Sequence, residues 1–181
     1  MTSMRNAIFV TALVAMTSAM TFAAHAALKF DAPKTWNSKA PSSSMRLAEF
    51  TVPKAAGDAE DATVTVFFFG ATQGGNVQAN IDRWMSQMAQ PDGKSSKDVA
   101  KTSTLTSTTG LKITVVDVSG TYVAEVAPGS SEHFNKTGFR QLAVYIETPG
   151  GAHFVKLLGP AKTVSAATDG FTAFLKTLRF E

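Results

Sequence analysis

Residues 63–69, TVTVFFF, place the tightest constraint on the fold, because this segment is apolar on both of its faces. In an extended strand, Val64, Val66 and Phe68 point to one side, and two further phenylalanines point to the other. Strands that are apolar on both sides lie inside sheets that are covered on both faces. The sequence therefore predicts a central strand here that is covered by other layers on both sides, or nearly so.

Two segments have the spacing of amphipathic helices that could supply those layers. The first begins after Asn76, a residue suited to an N-cap. The second opens at Gly159-Pro160, because proline suits the first turn of a helix. Gly170 interrupts it at a cost of about 1 kcal/mol relative to alanine, and we expect close packing against the sheet to be the reason. The apolar stripes are Val77, Ile81, Trp84, Met85 and Met88 in the first helix, and Val164, Ala167, Phe171, Phe174, Leu175 and Leu178 in the second.

The remaining apolar segments alternate as strands joined by short turns. Pro149-Gly150-Gly151 is a strong hairpin signal, and a loop is expected over 124–138. Short turns between consecutive strands favour antiparallel pairing. The order of strands, helix, four strands and helix predicts an α+β domain, with a largely antiparallel sheet covered by two main helices. The other predicted strands cover 28–30, 45–52, 98–108, 111–122, 139–148 and 152–158.

The first 26 residues have the pattern of a secretory signal peptide. Arg5 precedes an apolar stretch over 7–23, and an Ala-His-Ala tripeptide follows at 24–26. The alternative is a retained membrane anchor, but threonine and serine interrupt the stretch, which falls short of the roughly 20 apolar residues that a spanning helix needs. We expect cleavage after Ala26. This leaves one globular domain over 27–181, periplasmic or secreted and without a stable membrane anchor.

Composition excludes several classes of protein. The chain has no cysteine, so neither a disulfide nor a lipidated cysteine can form, and the core alone must hold the domain in an oxidising compartment. The formal net charge is only +3. The closest approach to a basic cluster is Lys94, Lys97 and Lys101, which has no aromatic residues between its members. Nucleic-acid binding is therefore not expected.

The order of elements resembles the PsbP-like fold, which photosystem II extrinsic proteins share with a nuclear-import factor family. The segments that carry this resemblance are the early aromatic strand with Trp36, FRQLAVYIETP at 139–149, AHFVKLLGP at 152–160 and TAFLKTLRF at 172–180. The chain also resembles uncharacterised secreted bacterial proteins of that type, through SSSMRLAEF at 42–50, GGNVQANIDRW at 74–84 and LKITVVDVSGTY at 111–122. The resemblance implies a PsbP-like domain, but it brings no activity and no site residues with it.

The glycine-rich turn at 70–76 and the helix after it form a candidate binding site. Backbone amides at the start of a helix can hold an anion. Asn76, Asn80 and Arg83 lie at i, i+4 and i+7, so their side chains form one polar stripe along the helix. The turn has neither a GxxxxGK[ST] nor a GxGxxG pattern, so the alternative is a plain connection between strand and helix. The candidate ligand-binding residues are Gly74, Gly75, Asn76, Asn80 and Arg83.

Other reactive side chains form no catalytic or metal-binding pattern. His133 and His153 are the only histidines after the signal segment, and no HxH or HExxH motif supports a metal site. Ser130, Ser131, Glu132 and His133 include the residue types of a hydrolase triad, but neighbours on one loop rarely converge. Asp117 interrupts an apolar strand, and we expect it to pair with Arg140 or Lys156 across the sheet.

These observations favour an exported non-enzymatic protein that binds or assembles with an unknown partner and uses no cofactor. The alternative is a protein that binds a small ligand or an anion through the turn at 70–76 and the adjoining helix. An enzyme with an unfamiliar site is a third class that the absence of motifs does not remove. A deep pocket with convergent polar groups would favour the second or third class, whereas a flat surface with an exposed apolar patch would favour the first.

Overall fold

The computed structural model describes residues 27–71 and 76–181. These residues form the predicted mixture of sheet and helix, with a short third helix and one further strand between the two main helices. The elements are β1 (Leu28–Lys29), β2 (Asn37–Lys39), β3 (Arg46–Val52), β4 (Ala62–Phe68), α1 (Val77–Ser86), β5 (Met88–Ala89), α2 (Ser96–Val99), β6 (Lys101–Thr106), β7 (Lys112–Tyr122), β8 (Lys136–Thr148), β9 (Gly151–Pro160), α3 (Ala161–Lys176) and β10 (Arg179–Phe180).

The main sheet has eight strands in the order β2-β3-β4-β9-β8-β7-β5, with β6 also paired to β7. Its pairings are all antiparallel. The predicted central position of this strand is confirmed, because β4 lies between β3 and β9. Its predicted covering is complete only at Val64 and Val66 on one side, since Thr63 on the other side is exposed and Phe67 is only half-buried. A separate pair, β1 with β10, joins the two ends of the described domain. The chain is therefore an α+β domain with a large antiparallel sheet.

Helix α3 covers one face of the sheet and completes the larger core. Phe174 packs against Phe30 and Trp36, with ring centroids 5.3 Å away in each case. Below it lie apolar residues from the strands, including Val64 and Val66, both fully buried. The predicted burial of Trp84, Phe171, Phe174 and Leu178 is confirmed, although Leu178 follows α3 rather than belonging to it.

Helix α1 covers only part of the opposite face. Its residues Ile81, Trp84 and Met85 pack against β7, β8 and β9. The helix has ten residues and is about 15 Å long, whereas eight strands at about 4.8 Å spacing make a much wider sheet. Part of this face, towards β4 and the end of β7, is therefore not covered by α1.

Several predicted details are wrong, and each has a local reason. A Cβ at Gly170 would meet only Pro33, at 4.0 Å, so this glycine does not pack tightly against the sheet. Met88 lies in β5, because α1 ends at Ser86. The loop expected over 124–138 ends earlier, since β8 begins at Lys136. The strand expected from 98 begins at Lys101, after the short helix α2.

Candidate functional site

A cavity of about 730 Å³ lies on the face of the sheet that α1 leaves open. Strands β4 and β9 form its floor, and the last turn of α1 borders it. The segment that joins β7 to β8 forms the opposite wall. This segment folds back on itself, because the amide of Val126 donates to the carbonyl of Glu132 and the amide of Phe134 donates to the carbonyl of Ala124, both at 2.9 Å. The floor residues are Thr63, Thr65, Phe67, Lys156 and Leu158.

Lys156 lies on this floor without a carboxylate beside it. Its Nζ donates to Gln87 Oε1 at 3.3 Å and to the Tyr122 hydroxyl at 3.4 Å, and it lies 5.2 Å from the centroid of the Tyr122 ring. The ion pairs found among the described residues do not include Lys156. Burial, reinforced by the charges of Arg83 and Arg46, lowers the pKa of Lys156 from 10.5 to about 8.

Two arginines from separate elements extend this positive charge. Arg83, in the last turn of α1, has its Nη2 bonded to Asn80 Oδ1 at 2.6 Å. Arg46, at the start of β3, lies over the ring of Phe67 and pairs with Glu49 at 3.2 Å. Three cations thus share this end of the cavity, and in the described part of the chain the carboxylate of Glu49 is the only one that pairs with any of them. The arrangement favours an anion.

A smaller apolar recess of about 150 Å³ adjoins the cationic end. It shares Arg83 and Lys156 with the main cavity, and the aromatic rings of Phe67, Phe69 and Phe154 line it. A ligand can therefore place a charged group against the cations and a short apolar group in the recess.

The other end of the cavity carries acidic residues that already have partners. Glu60 pairs with Lys136 at 2.6 Å, and Asp61 accepts a hydrogen bond from the backbone amide of Lys54 at 2.9 Å. Thr65 is opposite Lys156 in the sheet. Asp61 lies about 13 Å along the chain from Thr65, at about 3.3 Å per residue. The cavity is therefore cationic near Lys156 and carries acidic side chains near Asp61.

The predicted site residues are only partly connected with this cavity. Gly74 and Gly75 lie outside the described residues. Asn76 is the N-cap of α1 as expected, because its Oδ1 accepts from the amide of Ala79 at 2.8 Å. Asn80 is buried, donates to the carbonyl of Asn76 at 3.0 Å and accepts from Arg83. Asn76, Asn80 and Arg83 are therefore joined by hydrogen bonds along the helix. Of these three residues, Arg83 alone lines the cavity.

Sequence reasoning missed the importance of Lys156, which it treated only as a possible partner of Asp117. Asp117 pairs with Arg140 instead, because Lys156 points to the opposite face of the sheet. A signal for Lys156 was present in the sequence: it is the one charged residue within an apolar run, FVKLL at 154–158.

The histidines occupy unrelated positions. His133 lies at the rim of the cavity, whereas His153 is buried under the ring of Phe68 with centroids 4.5 Å apart. Burial lowers the pKa of His153. Within residues 27–71 and 76–181, no three histidine, aspartate or glutamate side chains come together in a way that could hold a metal ion.

In the described part of the chain, no helix combines the length and the apolar character needed to cross a bilayer. No protein-family model matches the chain, and no curated protein matches it significantly.

Proposed function

We propose that this protein binds a small organic anion in the cavity between α1 and the sheet. The observation that carries the proposal is the set of three cations, Arg46, Arg83 and Lys156, around a concave floor. Among the residues that the structure describes, no carboxylate pairs with Lys156. Burying an unpaired charge costs free energy, and a bound anion would remove that cost. The cavity volume also lies in the range of about 300–1,000 Å³ that is usual for small-molecule sites.

The recess beside the cations narrows the class of ligand. A carboxylate can accept two hydrogen bonds from a guanidinium such as that of Arg83. The aromatic rings of the recess would then hold a short alkyl or aryl group. We therefore favour an anion with one apolar substituent over an inorganic ion.

A docking surface for a protein partner has less support. The large apolar side chains exposed on the described residues fall in three separate places: Met45 and Leu47 near the start of β3, Val99 in α2 and Val126 in the loop before β8. Isolated exposed apolar residues are common on soluble proteins and do not mark an interface. The ligand-binding alternative is therefore preferred to the assembly role expected first from the sequence.

The proposal also includes export to the periplasm or outside the cell, a PsbP-like relationship and a lack of catalysis. Export is supported by the signal-like pattern of the first 26 residues. Backbone hydrogen bonds between Ala27 and Glu181, at 2.6 and 3.2 Å, would survive cleavage after Ala26. The PsbP-like relationship is supported by the order of elements, and its test is a fold comparison with an experimental structure.

The test is calorimetric titration of the purified protein with 3-phenylpropionate and, separately, with inorganic phosphate. We expect 3-phenylpropionate to bind and to raise the melting temperature of the wild type, since a ligand at 100 times its Kd adds about 2.7 kcal/mol. Lys156→Met should weaken binding at least tenfold. Lys112→Met changes an exposed strand lysine and should leave binding unchanged.

Equal binding by wild type and Lys156→Met would overturn the placement of the site. If neither anion binds to the wild type, the proposed function is wrong for both classes of ligand. Phosphate binding alone would contradict the role assigned to the apolar recess.

A further inference from the structure

The groups that contact the Lys156 amine are neutral, and the charges that act on it most strongly are cationic. Its two hydrogen-bond partners, Gln87 Oε1 and the Tyr122 hydroxyl, are neutral and distant, at 3.3 and 3.4 Å. A carboxylate in contact would hold the proton on the amine, because an opposite charge favours the charged form. That restraint is absent at Lys156, so the neutral amine is accessible.

At the end of the cavity where Lys156 lies, the neighbouring charged groups all lower the pKa of its amine. Arg83 from α1 and Arg46 from β3 both repel the proton of Lys156. At the far end, Glu60 is paired with Lys136. Burial raises the pKa of Tyr122, so its hydroxyl stays protonated at neutral pH. A lysine that is desolvated and lies close to other cations is activated as a nucleophile.

We propose that Lys156 captures small carbonyl-bearing carboxylates, of the class of 2-oxo acids with an apolar substituent, as a reversible imine. This inference rests on the proposed function, because the anion site must first hold the carboxylate. Arg83, with Arg46 close by, would bind the carboxylate. The apolar substituent would then enter the recess lined by the phenylalanine rings.

The covalent step needs no oxidant or reductant. The lone pair of the neutral Lys156 amine attacks the carbonyl carbon, a C–N bond forms, and the carbonyl oxygen takes up a proton. The resulting carbinolamine loses its hydroxyl group and a proton from nitrogen as one water molecule, which leaves the imine. The hydroxyl of Tyr122, 3.4 Å from Nζ, can donate a proton to the departing oxygen and recover one afterwards.

The reaction is tested by incubating the purified protein with phenylpyruvate and sodium borohydride, which reduces an imine to a stable secondary amine. Peptide mapping by mass spectrometry then locates the label. We expect a single label on Lys156, at least tenfold above that on exposed Lys112, and we expect the Lys112→Met variant to be labelled as the wild type is. Lys156→Arg should retain binding of 3-phenylpropionate but lose the label, since a guanidinium does not form an imine under these conditions.

Benzaldehyde serves as the control reagent, because it has a carbonyl group and an aromatic ring but no carboxylate. Arg83→Leu removes one of the charges that lower the pKa of Lys156, so it should lower labelling by both reagents. Labelling by phenylpyruvate should fall at least tenfold more than labelling by benzaldehyde, because phenylpyruvate alone also loses a contact to its carboxylate. Labels spread over surface lysines, or no label despite calorimetric binding of phenylpyruvate, would overturn the imine and leave the proposed anion site standing. A lack of binding by both phenylpyruvate and 3-phenylpropionate would overturn the two together.

Discussion

Arg140 and Asp117 form an ion pair with two parallel hydrogen bonds between neighbouring strands, Nε to Oδ1 at 2.8 Å and Nη2 to Oδ2 at 2.7 Å. The same guanidinium donates to Ser165 Oγ of α3 at 2.9 Å, so it links the sheet to the helix. We expect Asp117→Asn to lower the free energy of unfolding by about 1.5–3 kcal/mol, the range for hydrogen bonds to charged groups. Urea denaturation at neutral pH measures this change.

The matched control is Asp82→Asn. Asp82 contacts Lys97 at 3.1 Å, but both side chains are well exposed, and exposed ion pairs contribute little to stability. We expect no measurable change in its urea midpoint. Equal losses in the two variants would show that the geometry of the Asp117 pair gives no additional stability.

Phe174→Ala tests the packing of α3 on the sheet. Phe174 is 1% exposed and contacts the rings of Phe30, Trp36 and Phe171. Removing such a side chain leaves a cavity and should cost about 3–5 kcal/mol. An unchanged urea midpoint would contradict the position of this helix.

Gly170 and Gly159 should respond in opposite directions to replacement by alanine. A Cβ at Gly170 meets only Pro33, at 4.0 Å, so Gly170→Ala should add about 0.5–1 kcal/mol through helix propensity. A Cβ at Gly159 would lie 2.5 Å from the Cβ and 2.7 Å from the Cα of Ala62, so Gly159→Ala must displace backbone and should destabilise. Thermal unfolding of the two variants compares them directly, and a loss of stability in Gly170→Ala would contradict the open space beside it.

Lys156 should make stability depend on pH. Its pKa is lowered from 10.5 to about 8 in the folded protein, so the unfolded chain binds the proton more tightly. The contribution to the free energy of unfolding is therefore most favourable above pH 10.5, falls as pH decreases towards 8, and is constant below that. Lys156→Met should thus be more stable than the wild type at pH 7, by up to about 3 kcal/mol.

Urea denaturation of wild type and Lys156→Met at pH 7 and at pH 10 measures this effect as a difference between the proteins, which cancels most other titrations. Lys112→Met should show no such difference between the two pH values. If Lys156→Met is less stable than the wild type by the same amount at both pH values, the charge of Lys156 carries no penalty in the folded protein.

We predict that the protein is exported and that its mature form begins at Ala27. The alanines at 24 and 26 provide the small residues that a signal peptidase requires. The intact mass of protein recovered from outside the cytoplasm tests this expectation. A full-length species that resists carbonate extraction would support the membrane anchor instead.

The sequence was sufficient for the long elements and insufficient for the site. Val64 and Val66 follow the two-residue period of a strand, and Phe174 follows the 3.6-residue period of a helix. Such periods predict structure well because the buried face of each element must be apolar. Strands β2, β5 and β10 have only two or three residues each, too few for any period to be visible. Such short strands form because neighbouring backbone offers them hydrogen bonds.

The cationic cluster was hidden for a different reason. Arg46 and Lys156 are distant in the sequence, and they share one cavity only because β3, β4 and β9 are neighbours in the sheet. That order is a property of the whole topology. Local patterns therefore identified Arg83, which lies on a recognisable helix, and gave no role at the cavity to the other two cations.

The pairing of β1 with β10 has a consequence for the order in which the domain can form. Leu28 is hydrogen-bonded in register with Phe180, and β4 cannot acquire its second neighbour until β9 is available. A chain that emerges from its N-terminus, from a ribosome or through a membrane channel, presents these partners last. The second edge of β4 therefore stays unpaired until β9 has emerged, and the sheet can be completed only when nearly the whole polypeptide is available.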